Sequence, residues 1–284
     1  MQLEKCRIKV QIMKIKQFKD APLAHYSYAI ISNNKMVVVD PARNPLPYYQ
    51  FAEEHDAEII AVLETHPHAD FVSSHLQIHQ ETGATIYVSK MVGAEYPHQT
   101  FDDGEQFEFG NANVKAIHTP GHSPDGITFY ITDKQRDTKA LFTGDSLFIG
   151  DVGRPDLREK AGNMKAKRQE LAEAMYQTIQ TKFTDLPDDV LIYPAHGAGS
   201  LCGKNMSDAA SSTHGNERNG NWAFKEQTQE DFVNEILKDQ PFIPSYFGFN
   251  VDINKKGAAH FQKSINGIQL NLYTNTIEKQ LPIV

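Results

Sequence analysis

The sequence predicts a fold in which helices are layered against β-sheets, and two observations lead to this prediction. Apolar residues recur at strand spacing in the opening segments 10–18, 26–32 and 36–39, which would form a meander of neighbouring strands. A strand at 59–63 is followed by a polar turn, a helix and a further strand at 85–88. Such alternation of strands and helices is typical of folds that cover a sheet with a helical layer.

The later elements follow from the same spacing rules. Helices are predicted at 45–56, 71–81, 164–183 and 230–238, and strands at 106–109, 113–118, 127–132, 140–143 and 190–193. The longest helix has Leu171, Met175 and Ile179 on one face, as a helix packed on a sheet would. The polar stretch 200–221 is rich in Gly, Ser and Asn and is expected to be a long surface loop.

Composition excludes several classes of function. The chain has 284 residues, of which 40% are hydrophobic and 23% charged, as in ordinary globular proteins. A net charge of −8 argues against a nucleic-acid groove, which needs clustered Lys and Arg. No apolar run approaches the roughly 18 residues that span a bilayer, so we expect no membrane partner. Cys6 and Cys202 form no disulfide framework and favour a cytoplasmic location.

A change of composition near residue 245 predicts two regions. Residues 1–245 are expected to form one domain, and residues 246–284 a polar tail or linker. Met13 is an alternative start, which would make 1–12 an extension.

A turn with two histidines and a carboxylate follows the predicted strand 59–63. Its sequence is Thr65-His66-Pro67-His68-Ala69-Asp70-Phe71. A loop at the end of a strand can direct several side chains toward one point while the sheet holds them in place. Imidazole and carboxylate groups bind metals, so the turn is a candidate metal site, although a solvated histidine-rich turn would have the same sequence.

Other polar residues also follow predicted strands, often beside glycine or proline. The whole set is Asp40, His66, His68, Asp70, His122, Asp145 and His196. Each alone is more often a cap or a solvated side chain. Seven of them in equivalent positions favour a functional site.

Four motifs in order carry a resemblance to a known family. They are Thr65-His66-Pro67-His68-Ala69-Asp70, Thr119-Pro120-Gly121-His122-Ser123, Phe142-Thr143-Gly144-Asp145-Ser146-Leu147-Phe148 and Tyr193-Pro194-Ala195-His196-Gly197. Over roughly residues 13 to 245 the chain resembles the metallo-β-lactamase superfamily. The resemblance implies an α+β fold, the four-layer αββα sandwich, with a metal site along one edge of two sheets. Within the superfamily, the stretches 150–156, 194–204 and 221–224 are most similar to the persulfide dioxygenases.

The number of metals is predicted from the residue after Asp70. Hydrolases of the superfamily commonly hold two metals, and the second needs a histidine at this position. Phe71 stands there and cannot bind a metal. The resemblance to persulfide dioxygenases implies one Fe(II) per chain, held by His66, His122 and Asp145. Two imidazoles and one carboxylate on one side leave three positions open, as in non-haem Fe(II) oxygenases.

Five further residues are expected around the metal. Asp70 is expected to accept the second N–H of a ligand histidine, which would fix the ring. His68 and His196 are expected beside the ligands, where they could contact water or substrate; for His196 a structural hydrogen bond across the loop is the alternative. Arg154 is a candidate for binding a substrate carboxylate or phosphate, or else forms an ion pair with Asp156 or Asp151. Cys202 is a candidate for the substrate entrance, or else an inert buried thiol.

The resemblance implies oxidation of a low-molecular-weight thiol persulfide by O₂ to sulfite and thiol. The thiol is left open between glutathione, coenzyme A and bacillithiol. The alternatives are a zinc thioester hydrolase similar to glyoxalase II, and a metal-binding sulfur carrier without turnover. A homo-oligomer, dimer or tetramer, is expected from the family. The last residues, 281–284, resemble the opening strand of a rhodanese domain, which suggests a truncated fusion protein.

Overall fold

The computed structural model describes residues 13–134, 138–157 and 168–266. These residues form two six-stranded sheets, face to face, with helices on both outer faces. The order of layers is helix, sheet, sheet, helix, and the predicted α+β sandwich is confirmed.

The first sheet is built from the N-terminal half of the chain. Its strands are, in spatial order, β1 Lys14–Asp20, β2 His25–Ser32, β3 Lys35–Val39, β4 Glu58–Leu63, β5 Thr85–Val88 and β6 Gln99–Thr100. The first three strands pair antiparallel, and β3 to β6 pair parallel. Every residue of β2 is buried, because one face of the sheet meets the second sheet and the other face meets helices.

The second sheet is built from later segments. Its strands are β7 Gln106–Phe109, β8 Ala112–His118, β9 Ile127–Asp133, β10 Lys139–Gly144, β11 Leu191–Pro194 and β12 Ser212–Thr213. Strands β7 to β10 form an antiparallel meander, and β11 pairs parallel with β10. Apolar side chains from both sheets, among them Tyr28 and Phe142, fill the space between them.

The helices complete the outer layers. They are α1 Leu46–Glu54, α2 His75–Thr82, α3 Arg168–Thr178, α4 His214–Gly220, α5 Gln229–Leu237, α6 Phe247–Lys256 and α7 Phe261–Asn266. Apolar residues of α1 and α2 pack on the first sheet, and those of α3 and α5 pack on the second. No helix among the described residues has the length and apolar character needed to cross a membrane.

The predicted elements differ from the structure most clearly at two places. The helix predicted at 71–81 begins only at His75, because residues up to Ser74 form the loop that carries the metal motif. The loop predicted at 200–221 contains β12 and α4, whose first turn is capped by the Thr213 side chain. Parts of the first strand and of the long helix, 10–12 and 164–167, lie outside the described residues.

The predicted tail contributes two of these helices. Phe247 and Val251 of α6 pack with Ala69 and Cys202 of the preceding region. The boundary at residue 245 stays a prediction. The resemblance of 281–284 to a rhodanese strand, like Cys6, lies outside the described residues.

Candidate metal centre

Strands β3 and β4 end side by side, and polar contacts between their ends orient His66. Asp40 is buried, in a left-handed backbone conformation with φ 47°. Its carboxylate accepts hydrogen bonds from the backbone N–H and the hydroxyl of Thr65, both at 2.8 Å. Because that bond uses the hydroxyl proton, Thr65 Oγ1 acts as acceptor toward Nδ1 of His66, 3.0 Å away. We infer that His66 carries its proton on Nδ1 and has a free lone pair on Nε2.

His122 lies in the loop between β8 and β9, and its ring is fixed in a similar way. Its Nδ1 is 2.9 Å from the carbonyl oxygen of Arg154, which can only accept a hydrogen bond. Its Nε2 therefore has no proton in the neutral ring. Burial lowers the pKa of His122, and lowers that of His66 well below the usual value. Both rings are thus held in the neutral form that binds metals.

Asp145, directly after β10, completes a set of three converging groups. Its Oδ2 lies 3.4 Å from His122 Nε2 and 3.8 Å from His66 Nε2. Oδ2 of Asp145 and Nε2 of His66 are buried and have no hydrogen-bond partner. Three lone pairs that face one another with no proton between them leave a buried gap that a cation would fill. The three residues therefore fit a metal ion, with two nitrogen donors and one oxygen donor.

His196, directly after β11, links the ligand carboxylate to a second one. Its Nδ1 is 2.7 Å from Asp145 Oδ1, and its Nε2 is 2.9 Å from Asp70 Oδ2. Burial opposes a charge on His196, but Asp145 and Asp70 raise its pKa well above the usual value. Each ring nitrogen thus lies within hydrogen-bond distance of a carboxylate oxygen. The role expected for Asp70 is wrong: it contacts His196, whereas the ligand histidines are held by Thr65 and a backbone carbonyl.

His68 points back toward the end of β3. It is fully buried, and its Nε2 lies 3.4 Å from Oδ1 of Asp40. Its ring is 4.1 Å from that of His66, so it borders the site. Burial disfavours a charge on His68, but the Asp40 carboxylate raises its pKa.

A family model decides the family of the chain. The model of the metallo-beta-lactamase superfamily matches residues 20–196, which includes every residue of the site described so far. The chain belongs to the metallo-β-lactamase superfamily.

Individual relatives in this superfamily differ in their activities. A metallo-β-lactamase from Staphylococcus aureus subsp. aureus COL is 33% identical, and its crystal structure aligns with a TM-score of 0.80 over 88% of this chain and 74% of that chain. A cytoplasmic hydroxyacylglutathione hydrolase of Arabidopsis thaliana is 31% identical over 61% of this chain and 63% of its own length. The human mitochondrial persulfide dioxygenase ETHE1 is 30% identical over 58% and 59%. The chain thus spans about three fifths of these two curated relatives.

The rings of Phe71 and His25 pack against each other beside the metal site. The ring of Phe71 is 4.0 Å from that of His25 on β2 and 4.5 Å from that of His68. Sequence analysis missed His25, because it stands at the start of an apolar strand and outside the four motifs. His25 is buried, and its Nε2 has no hydrogen-bond partner. Phe71, whose ring has no donor atom, therefore stands directly after Asp70 and packs between His25 and His68.

Arg154 is committed to contacts inside the protein. It is 1% exposed, and its Nε and Nη2 each donate to a different oxygen of Asp156 at 2.7 Å. Nη1 donates to the carbonyl of Leu201, and Nη2 also to that of Pro241. The structure thus favours the ion pair with Asp156 over the predicted contact with substrate. Because the side chain is buried and each of its nitrogens already donates to a protein group, little of the guanidinium is left for a substrate anion.

Cys202 lies close to His196 and Asp70, at the edge of an apolar cluster. The Sγ of Cys202 lies within 4.8 Å of a ligand atom of each of these residues, and the side chain packs with Phe148, Phe247 and others. Burial raises the pKa of Cys202 to about 12, so the thiol is protonated at neutral pH. A buried, protonated thiol is a poor nucleophile, which favours the inert alternative over a role in the substrate entrance.

Proposed function

We propose that this protein is an Fe(II)-dependent persulfide dioxygenase. The reaction is thiol persulfide plus O₂ plus water giving thiol, sulfite and two protons. The single observation that carries the proposal is Phe71, a ring without a donor atom that packs on His25 directly after Asp70, where a second metal would need a nitrogen ligand. A site of two imidazoles and one carboxylate with open positions is the ligand set of mononuclear non-haem iron enzymes.

The arrangement of His196 also supports a single metal. Both of its nitrogens are engaged by carboxylates, at 2.7 Å and 2.9 Å. A histidine that binds a metal must offer a lone pair instead.

The protein residues would bind, orient and shield the reactants. His66, His122 and Asp145 would hold the iron, which when bound supplies the one-electron chemistry that O₂ requires. Thr65 and the Arg154 carbonyl fix the two imidazole rings, so the ligand atoms are oriented before metal binding. Phe71 and the apolar cluster around Cys202 keep water from the buried side of the site.

A zinc-dependent thioester hydrolase is the second candidate, because hydroxyacylglutathione hydrolase is as similar in sequence as ETHE1. The carrier thiol, a dimeric or tetrameric assembly, a cytoplasmic location and fusion to a rhodanese domain stay predictions of the sequence.

The two candidates differ in their need for oxygen. We expect glutathione persulfide to drive O₂ uptake and sulfite formation at equal rates, and both to stop under nitrogen. Coenzyme A and bacillithiol persulfides would be assayed in parallel to rank the carriers. Metal analysis should give about one iron per chain in the active preparation. Hydrolysis of a glutathione thioester that persists without O₂, with two zinc ions per chain, would instead establish the hydrolase.

The His122→Ala variant is the matched control for both assays. It removes one metal ligand, so it should abolish either activity. Residual sulfite formation in this variant would indicate free metal in solution.

A further inference from the structure

Helix α6 lies beyond the segment matched by the family model, yet it contacts the metal-binding loop directly. The family match ends at residue 196, and α6 spans Phe247–Lys256. Phe247, Asn250, Val251 and Asn254 recur at helical spacing and are buried on one side of α6. The two apolar residues pack with Ala69 of the loop, which places the two amides against the loop backbone.

Asn254 satisfies three backbone groups of the loop at once. Its Nδ2 donates to the carbonyls of His68, at 2.9 Å, and Phe71, at 2.8 Å. Its Oδ1 accepts from the N–H of Ser73 at 2.8 Å. With 2% of its surface exposed, Asn254 makes these bonds away from solvent. An Asn side chain has two donor hydrogens and one acceptor oxygen, so the amide is fully used.

Asn250 adds one bond of the same kind. Its Nδ2 donates to the carbonyl of Ala69 at 3.0 Å. Residues 67–74 belong to no helix or strand before α2 begins, so their buried carbonyls lack partners from regular structure. Buried backbone groups without partners are costly, and the two amides remove that cost.

The loop held in this way carries groups of the metal site. Asp70 stands between two of the bonded carbonyls, and its Oδ2 is 2.9 Å from His196 Nε2. His196 in turn bonds Asp145, at 2.7 Å. His66 comes only two residues before the bonded carbonyl of His68. A shift of the loop would therefore move one ligand directly and a second through two hydrogen bonds.

We propose that Asn254, supported by Asn250, is a positioning residue of the metal centre, so that α6 is part of the metal site. The inference requires only a metal held by His66, His122 and Asp145, and it applies to iron and zinc alike. Neither amide touches the metal; both act through the loop backbone.

The test is binding of Co²⁺ to the metal-free protein. Titration measures the affinity, and the visible absorption of the bound ion reports on its ligand geometry. We expect Asn254→Ala to weaken Co²⁺ binding by about 10-fold, the lower end of the range for groups that orient ligands. Asn254→Asp keeps the size and the acceptor but loses both donors, so it should weaken binding similarly. Asn250→Ala, which removes one bond, should have a smaller effect. Both Asn254 variants should also change the absorption spectrum.

Asp252→Ala is the matched control, since Asp252 is exposed on the same helix. It should leave affinity and spectrum unchanged. If folded Asn254→Ala and Asn254→Asp proteins bind Co²⁺ with the affinity and spectrum of Asp252→Ala, the amide serves only packing and the proposal is wrong. If Asn254→Ala does not fold, unchanged binding by Asn250→Ala also overturns it. The outcome is independent of the proposed reaction, because no substrate or oxygen is present.

Discussion

His25 is a buried histidine whose protonation the fold opposes. Burial lowers its pKa well below the usual value, and the nearby His196 and His68 lower it further, while Asp70 and Asp145 act in the opposite direction. In the unfolded chain the residue takes up a proton near pH 6.5. Below that pH the unfolded state binds more protons than the folded state, so acid favours unfolding through His25.

We predict that His25→Phe makes the metal-free protein less sensitive to acid. Below about pH 6.5, acid should lower the unfolding free energy of wild type more than that of the variant. The gap between the two should widen by up to about 1.4 kcal/mol per pH unit. Urea unfolding at a series of pH values from 5 to 7.5 measures this. His98→Phe, which replaces an exposed histidine, is the matched control. A constant difference between His25→Phe and wild type at all pH values would contradict the prediction.

The three converging residues were predictable because each lies in a motif at a strand end. The resemblance to persulfide dioxygenases selects His66, His122 and Asp145 from the seven polar residues at strand ends, but it does not indicate the partner of Asp70. Whether Asp70 bonds a ligand histidine or His196 depends on how the ends of β4 and β11 meet, which no local pattern records. Asn254 was missed for a related reason: its three partners lie more than 180 residues earlier.

At the scale of elements, the loop 150–156 passes directly over the ligand backbone. A Cβ on Gly153 would overlap the carbonyl oxygen of Asp145 and lie 2.9 Å from Cβ of His122. Two metal ligands thus lie so close to residue 153 that only a residue without a side chain fits there. The motif containing Gly153 was recognised by resemblance, and the structure supplies the physical reason for its glycine.

We predict that Gly153→Ala displaces both ligands and weakens metal binding. Overpacking of this kind also costs about 1–3 kcal/mol of stability. Isothermal titration with Co²⁺ and thermal melts of the metal-free protein measure the two effects. The control is Gly220→Ala, because a Cβ there meets no atom within 4 Å. Equal metal affinity for the two variants would contradict the prediction, because it would show that the loop 150–156 can shift without displacing the ligands.

At the scale of the whole molecule, the metal site joins the two sheets. His66 follows β4 of the first sheet, whereas His122 and Asp145 follow β8 and β10 of the second. The sheets otherwise meet through apolar packing and a few polar contacts, such as the bond from Tyr28 to the carbonyl of Pro194 at 2.5 Å. A metal bound by both sheets exists only in the folded state, so its binding energy adds to the stability of the sandwich.

Removal of the metal should therefore lower the melting temperature of the whole domain. At a free metal concentration of about 100 times the dissociation constant, the stabilisation is about 2.7 kcal/mol. For a domain of this size that corresponds to roughly 5–10 °C. Calorimetry of the metal-loaded and chelator-treated protein measures the shift, and metal addition should restore it. In His122→Ala the second sheet keeps only Asp145, so the shift should nearly vanish. A shift of equal size in that variant would place the stabilising metal elsewhere, and the two sheets would then be held together without it.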